Sequence, residues 1–341
     1  MSLRKAIHEA VAGHEVPAPL LEAAFGEIMA GEAGEAQIAA LLVALRTKGE
    51  TVGEIVAAAR ALRAHADRGP ADVRAVDTCG TGGDGADTFN ISTVAAFVVA
   101  GAGVPVAKHG NRSASSRCGS IDVLEGLGVR VDLSTAQSCR LLAEVGVAPF
   151  FARRAHPAMR HVAPVRKALG IRTIMNCLGP LLNPVGVVYQ LVGVYDAGLV
   201  APLAEALGRL GARRALVVHG ADGLDEITTT RETHAALYAE GHVERRTLTP
   251  EEAGLARARP ADLAGGDLEE NVAIARSILA GETGPRRDVV VANAGAALFV
   301  ADAVPDWPSG VERAGESLAS GAAADRLEAL VRASRALGPA S

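Results

Sequence analysis

The densest set of candidate ligand-binding residues is the stretch KHGNRSASS at positions 108–116. It holds a lysine, an arginine, an asparagine and three serines directly after an apolar run that predicts a strand. These side chains offer many hydrogen-bond donors and hardly any charged acceptors, which suits a phosphorylated ligand. The alternative is a solvated surface loop, although such loops are seldom this rich in donors. We predict that this stretch binds phosphate.

A glycine-rich segment, CGTGGDG at positions 79–85, follows the first predicted strand. Gly80, Gly82 and Gly85 match the GxGxxG spacing of dinucleotide-binding loops. That match is weak, because no helix begins at the third glycine and because the second strand leads into Lys108 and His109 rather than into an acidic residue. The P-loop pattern GxxxxGKS/T does not occur in the sequence. The segment is therefore either a plain turn or a loop whose backbone approaches an anion closely.

The tetrapeptide NIST at positions 90–93 is a second candidate for anion binding. Asn90 is a good N-cap residue, and Ser92 and Thr93 fall in the first turn of the predicted helix. The free N–H groups and the positive end of the helix dipole make such a turn a phosphate site. Simple capping is the alternative, since every helix start needs it.

The segment DGLDEIT at positions 222–228 follows an apolar run that ends at His219. It carries adjacent carboxylates, Asp225 and Glu226, which are hard oxygen ligands suited to Mg²⁺. Acidic pairs are also common on solvated surfaces. A donor-rich phosphate site together with a carboxylate pair favours a Mg²⁺-diphosphate ligand.

The last candidate is the run from His156 to Thr173, which is followed by MNCLGPLLNP at positions 175–184. Arg166 lies just after Pro164 at a predicted helix start, and its planar guanidinium could bind a carboxylate through two hydrogen bonds. His156 and His161 are more often structural than catalytic in such a setting. The sequence shows no Ser–His–Asp or Cys–His arrangement that indicates covalent catalysis.

Two kinds of structure must position these residues. The first seventy residues predict helices only: Ile38, Leu41, Leu42 and Leu45 share one helical face, and Thr51 with Glu54 forms a capping box. Beyond a linker at 67–70, short apolar runs alternate with helical stretches, which predicts a mostly parallel sheet covered on both faces. The predicted strands are Val73–Val76, Val104–Ala107, Val147–Phe151, Val188–Val194, Ala215–His219 and Val289–Ala292; the clearest helices are Ser92–Ala102, Thr135–Glu144 and Leu268–Ala280.

Composition excludes several classes of protein. A length of 341 residues suggests two domains, and a net charge of −5 argues against a nucleic-acid-coating surface. Between Lys108 and Arg172, however, eleven basic residues face four acidic ones, which favours a local anion site. No apolar run reaches the ~18 residues of a membrane span, and the first residues lack the apolar core of a signal peptide, so we expect a cytoplasmic protein. The four cysteines form no CxxC pair and predict neither zinc nor disulfides.

Over nearly the whole chain these segments resemble the anthranilate phosphoribosyltransferase family, most specifically in KHGNRSASS, in PVRKALGIRT with NCLGPLLNP, and in DGLDEIT. The resemblance implies an α/β fold of the nucleoside phosphorylase/phosphoribosyltransferase type. A helical domain (1–70, joined by a helical excursion at 166–182) would precede a larger domain (71–341) with a mostly parallel, helix-flanked sheet. It also implies a homodimer, formed through the helical domain.

The resemblance further implies an activity and a set of site residues. The family transfers the phosphoribosyl group of phosphoribosyl pyrophosphate to the amine of anthranilate, in tryptophan biosynthesis. The residues expected to bind the phosphoribosyl donor are Gly80, Gly83, Asp84, Thr88, Asn90, Ile91, Ser92, Thr93, Lys108, His109, Gly110, Asn111, Arg112, Ser113, Ser115, Ser116 and Ser120. Those expected at anthranilate are Gly80, Asn111, Arg166, His109, His156 and Gly179. Ser92, Asp225 and Glu226 are expected to bind Mg²⁺, with two ions per active site.

We expect no dedicated acid, base or nucleophile, because pyrophosphate on Mg²⁺ is a good leaving group and an aromatic amine is neutral at pH 7. The expected chemistry is an SN1-like displacement governed by orientation and charge stabilisation. Two alternatives stay open. A pyrimidine nucleoside phosphorylase would share the architecture but would not need the Asp225–Glu226 pair or the Arg166 segment. A non-catalytic nucleic-acid-binding relative would need an extended basic face.

Overall fold

The computed structural model describes residues 2–70, 74–112 and 117–338. Its N-terminal part is helical, with α1 (Ser2–Val11), α2 (Ala18–Met29), α3 (Glu35–Lys48) and α4 (Val52–Ala64). The four predicted face residues of α3 are all buried, which confirms the amphipathic pattern. The capping box is also confirmed: the Glu54 amide donates to Thr51 Oγ1 at 3.1 Å, and the Thr51 amide donates to Glu54 Oε2 at 2.9 Å.

In the larger part, the described residues form a central seven-stranded sheet in the order β3-β2-β1-β4-β5-β6-β7. Its first five strands are parallel and the last two are antiparallel, so the prediction of a mostly parallel sheet is confirmed. The strands are β1 (Val76–Gly80), β2 (Val106–Gly110), β3 (Val147–Phe151), β4 (Tyr189–Gly193), β5 (Arg214–Gly220), β6 (Thr233–Ala239) and β7 (His242–Leu248).

The first two strands lie further along the chain than the apolar runs indicated. Val73, the start of the first predicted strand, lies outside the described residues. β1 continues through Gly80, which pairs with Gly193, and β2 continues through Gly110, which pairs with Phe151. Polar residues extend these strands because parallel pairing satisfies their backbone groups whatever the side chain. As a consequence, Lys108 is part of a strand and not of the loop in which the sequence placed it.

The hairpin of β6 and β7 was not predicted. The first of these strands is rich in alanine, and the second, HVERRTL, is an exposed edge strand with charged side chains. Their two-residue connection has positive φ at both Glu240 (52°) and Gly241 (84°). That is the geometry of a tight hairpin turn, reached here without the usual Asn-Gly or Asp-Gly signal.

The predicted strand Val289–Ala292 is wrong, because these residues lie inside helix α13 (Pro285–Val300). Every residue from Val289 to Val300 is buried, so the helix shows no polar face. A short apolar run of this kind cannot be told from a buried strand by periodicity alone. The other helices are α5 (Ile91–Gly101), α6 (Ser120–Gly126), α7 (Thr135–Val145), α8 (Ala152–Ala155), α9 (Ala163–Leu169), α10 (Met175–Leu178), α11 (Val200–Arg209), α12 (Leu268–Leu279), α14 (Trp307–Ala319) and α15 (Ala322–Ala336).

Two apolar cores lie on opposite faces of the sheet. Alternate residues of β5 point to different cores: Ala215 and Val217 pack with α11 and the N-terminal helices, whereas Leu216 and Val218 pack with the core that contains α5 and α13. Side chains from positions 162–182 belong to the same core as α1–α4. Among the described helices, none combines the length and apolar character that a bilayer span requires.

Candidate functional site

The loops with the candidate residues gather at one edge of the sheet. Because β1, β2, β4 and β5 are parallel, their carboxyl ends lie together, and each of them ends in a glycine: Gly80, Gly110, Gly193 and Gly220. The helix α5 starts at this edge, after the loop that follows β1. Ligands of open parallel sheets bind at this edge.

Asp225 lies against the glycine-rich segment. The amide of Gly82 donates to Asp225 Oδ2 at 2.7 Å, and the amide of Asp225 donates to Asp84 Oδ2 at 3.4 Å. A Cβ atom on Gly80 would lie 2.5 Å from Asp225 Oδ2, and one on Gly193 would lie 1.5 Å from the Asp225 carbonyl oxygen. Both strand ends therefore require glycine, because the acidic segment crosses directly over them.

Glu226 faces the first turn of α5. The backbone amide of Ser92 donates to Glu226 Oε1 at 3.2 Å, so the carboxylate lies at the positive end of the helix. This is the position at which an anionic ligand would also be stabilised. The acidic doublet and the helix start, which are far apart in sequence, thus form one site.

The ionised forms of the carboxylates in this site are disfavoured unless a cation lies nearby. Burial, with the charges of Glu226 and Asp84, raises the pKa of Asp225 well above its ordinary value. Burial also raises the pKa of Glu226 to about 7, although the Lys108 ammonium opposes the shift. Within the described residues, no group of three or more acidic, histidine or cysteine side chains could hold a metal alone. Mg²⁺ is usually bound by one or two carboxylates, and substrate phosphates complete its coordination. These residues fit that arrangement.

Lys108 lies beneath the site rather than on its surface. Its side chain is buried, and Nζ donates to the Thr78 carbonyl oxygen at 2.5 Å and to Ser92 Oγ at 3.4 Å. Burial lowers the pKa of Lys108, and the negative charges of Asp77 and Glu226 oppose that shift. The ammonium therefore supplies positive charge directly below the first turn of α5.

Asn90 occupies the N-cap position of α5, but its side chain makes no capping hydrogen bond, contrary to the sequence prediction. Its Nδ2 instead donates to the carbonyl oxygen of Cys118 at 3.2 Å. Its Oδ1 and the hydroxyl of Thr93 are buried without a partner among the described residues. The amides of the first turn of α5 have other partners instead: the Ser92 amide donates to Glu226, and the Thr93 amide donates to the Asn90 carbonyl oxygen at 3.1 Å. Thr88 fixes the preceding segment through an isolated bridge to Ala264, and Ile91, the first residue of the helix, is buried.

Two buried histidines lie beside this edge. The rings of His109 and His156 meet edge to face with centroids 5.4 Å apart. Burial lowers the pKa of His109 to about 3, although a hydrogen bond with the Gly179 backbone opposes the shift. Burial lowers the pKa of His156 as well, and its Nε2 lies 2.8 Å from the Leu182 carbonyl oxygen. The structure thus brings together His109, His156 and Gly179, three of the residues expected at the aromatic substrate.

Arg166 lies on α9, half-buried, and burial lowers the pKa of its guanidinium. No acidic side chain in the described part of the chain pairs with it. Arg112, by contrast, forms ion pairs with Asp122 and Glu125, each at 2.8 Å, so its guanidinium is directed to α6.

The start of α6 lies against the end of β2. The amide of Ile121 and the hydroxyl of Ser120 donate to the Asn111 carbonyl oxygen at 3.3 Å and 3.4 Å. A Cβ atom on Gly110 would lie 2.3 Å from Ser120 Oγ, which explains the glycine. The candidates Ser113, Ser115 and Ser116 lie outside the described residues.

A buried polar link behind the site was not predicted from the sequence. Asp77 Oδ1 accepts from the His109 amide at 3.1 Å, and its Oδ2 accepts from Asn183 Nδ2 at 2.9 Å. The same Nδ2 donates to the Ala107 carbonyl oxygen at 2.9 Å. A signal was present, because Asp77 directly follows a predicted strand and Asn183 lies in the largely apolar GPLLNP, and a polar side chain buried in such a place needs a partner.

The role of Arg172 was not predicted either: its guanidinium donates to the Gly83 carbonyl oxygen and lies 4.0 Å from the centre of the Tyr195 ring. This side chain connects the segment after α9 to the glycine-rich loop. No local pattern indicated this role, because a basic residue in a polar turn is most often solvated.

Comparison with known proteins agrees with this architecture. Residues 4–66 match the family model of the glycosyl transferase helical bundle domain, and residues 72–324 match that of the glycosyl transferase a/b domain. An anthranilate phosphoribosyltransferase from Rubrobacter xylanophilus is 54% identical over 336 residues, which cover 98% of each chain. The crystal structure of the Thermus thermophilus enzyme of the same name superposes with a TM-score of 0.93 at 46% identity, covering 97% of this chain and 99% of that one.

The Saccharomyces cerevisiae enzyme, solved in complex with phosphoribosyl pyrophosphate and Mg, gives a TM-score of 0.89 at 27% identity and covers 98% of both chains. A second structure of the yeast enzyme contains 4-fluoroanthranilate. With these matches, the phosphorylase and nucleic-acid-binding alternatives are set aside. Both parts of the chain match the family models, and close relatives align over nearly its full length, so the chain belongs to the anthranilate phosphoribosyltransferase family.

Proposed function

We propose that this chain catalyses its family's reaction at the edge formed by β1, β2, β4 and β5, by joining the amine of anthranilate to C1 of the ribose of phosphoribosyl pyrophosphate. The observation that carries the proposal is the meeting of Glu226 with the Ser92 amide, 3.2 Å apart, beside the contact of Asp225 with Gly82. An acidic doublet beside a helix start and a glycine loop combines carboxylate ligands for the metal with a positive helix end for the diphosphate.

The phosphoribosyl donor would lie over the glycine loop and the start of α5. The positive end of the α5 dipole and the Lys108 ammonium below it would stabilise the negative charge of pyrophosphate. Gly80, Gly83, Asp84, Thr88, Asn90, Ile91, Ser92 and Thr93 would line this part, with Lys108, His109, Gly110, Asn111, Arg112, Ser113, Ser115, Ser116 and Ser120 on the side of β2. Arg112 would have to leave Asp122 and Glu125 to reach a phosphate.

Asp225, Glu226 and Ser92 would hold Mg²⁺, and we propose two ions per site. When bound, Mg²⁺ neutralises charge that develops on the departing pyrophosphate oxygens. The raised pKa of both carboxylates, caused chiefly by burial, supports this assignment, because a neighbouring cation would favour the ionised forms and so oppose the shift.

Anthranilate would bind with its carboxylate on Arg166 and its ring near His109, His156, Gly80, Asn111 and Gly179. The absence of an acidic partner for Arg166 in the described residues leaves both edges of its guanidinium for a carboxylate. Because burial lowers the pKa of His109 to about 3, the ring is uncharged near pH 7 and would be too weak a base to take a proton from the amine.

The residues then favour an SN1-like displacement. The C1–O bond breaks as pyrophosphate leaves with the electron pair, the amine nitrogen forms the new C1–N bond, and its proton passes to solvent. The protein orients the two substrates and stabilises the leaving group. A trapped ribosyl–enzyme adduct would contradict this mechanism.

The direct test is incubation of the purified chain with anthranilate, phosphoribosyl pyrophosphate and Mg²⁺, while anthranilate fluorescence is followed. We expect the fluorescence to fall only when all three are present. Persistent fluorescence with folded protein would contradict the proposed activity.

We also propose that the chain is a cytoplasmic homodimer that associates through its N-terminal helices. Val11 on α1 and Val43 on α3 expose 72% and 37% of their surfaces, so the N-terminal helices offer apolar side chains that a partner could cover. Cytoplasmic location is proposed because the donor is a highly charged metabolite that does not cross membranes unaided. Sedimentation equilibrium would test the assembly: a dimer mass is expected, and Val11→Asp with Val43→Asp should yield monomers.

A further inference from the structure

A buried asparagine forms hydrogen bonds with the backbone of the residue that follows the acidic doublet. Asn293 lies in α13 with none of its surface exposed. Its Oδ1 accepts from the Ile227 amide at 3.0 Å, and its Nδ2 donates to the Ile227 carbonyl oxygen at 2.8 Å and to the Val289 carbonyl oxygen at 2.9 Å. The side-chain amide therefore binds both polar groups of the residue that follows Glu226.

Asn293 stands out because the residues around it in α13 are apolar. From Val289 to Val300, Asn293 is the only polar residue of α13, and the whole stretch is buried. A buried amide is costly unless all its hydrogen bonds are made, and alanine is the better helix former. Asn293 thus lowers the intrinsic stability of its helix while it gives Ile227 the hydrogen bonds that an irregular buried backbone needs.

The other residues of the segment between β5 and β6 form hydrogen bonds within the segment or with the adjoining strands. Thr228 Oγ1 donates to Asp222 Oδ2 at 2.6 Å, and the Thr228 amide donates to Thr233 Oγ1 at 3.1 Å. The Gly220 amide donates to the Leu224 carbonyl oxygen at 2.8 Å. These bonds close the loop on itself, whereas the Asn293 bonds fix it to a helix of the core.

Electrostatic repulsion opposes this position of the acidic doublet. Asp225 and Glu226 are adjacent carboxylates in a site of limited exposure, so their mutual repulsion favours any rearrangement that moves one of them towards solvent. A fixed peptide at Ile227 resists such a rearrangement, since it sets where the backbone of the doublet runs. It thereby keeps Glu226 at the Ser92 amide and Asp225 at the Gly82 amide.

We propose that Asn293 is a positioning residue for the Mg²⁺-binding carboxylates: it holds the Ile227 peptide so that Asp225 and Glu226 stay preorganised at the start of α5. This inference rests on the proposed function, because it takes the doublet as the Mg²⁺ site. Partners that orient metal ligands commonly change metal affinity by about 10- to 100-fold when they are removed.

The test compares Asn293→Ala with Ser317→Ala. Ser317 is a matched control, because it is buried on the neighbouring α14 and loses one buried hydrogen bond, Oγ to the Val98 carbonyl oxygen at 2.8 Å, away from the acidic segment. The first readout needs no reaction: amide hydrogen exchange of positions 221–229 in the ligand-free protein. We expect faster exchange there in Asn293→Ala and wild-type protection in Ser317→Ala.

The second readout is the Mg²⁺ concentration for half-maximal rate at saturating phosphoribosyl pyrophosphate. It should rise about 10-fold or more in Asn293→Ala, while the KM for anthranilate stays within about twofold. If Asn293→Ala does not fold, Asn293→Asp replaces it, because the carboxylate keeps the shape and the acceptor but cannot donate to the Ile227 carbonyl oxygen when ionised. The same direction of change is expected.

Unchanged exchange at 221–229 together with an unchanged Mg²⁺ requirement would overturn the inference. Equal increases in Mg²⁺ requirement and in anthranilate KM would overturn it too, since that pattern marks general damage. A wild-type chain without turnover would instead contradict the proposed function, and the exchange experiment separates the two failures.

Discussion

The Ser92 amide donates to Glu226 Oε1 at 3.2 Å, across 134 positions of sequence. This contact joins the first turn of α5 to the segment after β5. It places a negative charge where a helix start would otherwise receive a phosphate, so a cation is needed before both can occupy the same edge.

Loss of the carboxylates should abolish metal use without unfolding the chain. In the double variant Asp225→Asn, Glu226→Gln, we expect Mg²⁺-dependent turnover to collapse, since the metal loses both charged ligands. The variant should melt at or above the wild-type temperature at pH 8, because two mutually repelling buried charges are removed. Steady-state kinetics across Mg²⁺ concentrations and thermal unfolding check both points. Wild-type Mg²⁺ dependence in the variant would exclude the doublet as the metal site.

Arg166 should act on one substrate only. Arg166→Ala is expected to raise the KM for anthranilate by about 10- to 100-fold, as loss of a charge-assisted hydrogen-bond pair of about 1.5–3 kcal/mol implies. The KM for phosphoribosyl pyrophosphate should change little. Lys167→Ala, at the exposed neighbour, serves as control and should leave both constants near wild type. Equal effects of Arg166→Ala on both substrates would refute the carboxylate clamp.

Gly193 should be intolerant of even a methyl group. An alanine Cβ would lie 1.5 Å from the Asp225 carbonyl oxygen, so the acidic segment would have to move. We expect Gly193→Ala to lose about 1–3 kcal/mol of stability, as overpacking does, and to need more Mg²⁺. Gly34→Ala is the control, because its Cβ would meet only Gln37 Oε1 at 4.0 Å. Thermal unfolding and Mg²⁺ titration test this prediction. If Gly193→Ala had the same stability and Mg²⁺ requirement as Gly34→Ala, the close contact between Gly193 and Asp225 would be contradicted.

Asp77 should make stability depend on pH. Burial raises its pKa from 3.8 to about 6, and Asn183, Lys108 and the His109 amide oppose the shift. Since the folded state favours the protonated form, its contribution to stability is complete below the unfolded pKa and is lost as the pH rises through about 6. Thermal unfolding from pH 4 to pH 8 should therefore show less of this decline in Asp77→Asn than in wild type. Identical pH profiles would show that Asp77 titrates normally.

The sequence predicted the architecture where periodicity was clean and failed where burial removed it. The amphipathic face of α3 and the capping box at Thr51 depend on local spacing, and both are confirmed. The stretch Val289–Ala292 is apolar on all sides because α13 is enclosed, and helix and strand then look alike. No local signal could reveal that α13 carries Asn293 to the acidic segment.

The candidate site could be predicted as a set of motifs but not as a geometry. Parallel strands place their carboxyl ends together, so the grouping of the glycine loop, the start of α5 and the doublet followed from topology. The burial of Lys108 did not, because its position depends on how far β2 extends. The capping role expected of Asn90 was wrong since tertiary contact with Cys118 provides a competing partner.

We propose that Asp225 and Glu226 bind a metal-diphosphate complex at the start of α5. The most direct measurement is a calorimetric titration of phosphoribosyl pyrophosphate into the wild-type chain and into Asp225→Asn, Glu226→Gln, each with Mg²⁺ and with a chelator. We predict that Mg²⁺ tightens binding to the wild type and has little effect on the variant. The same Mg²⁺-dependent gain in affinity in both proteins would contradict the claim.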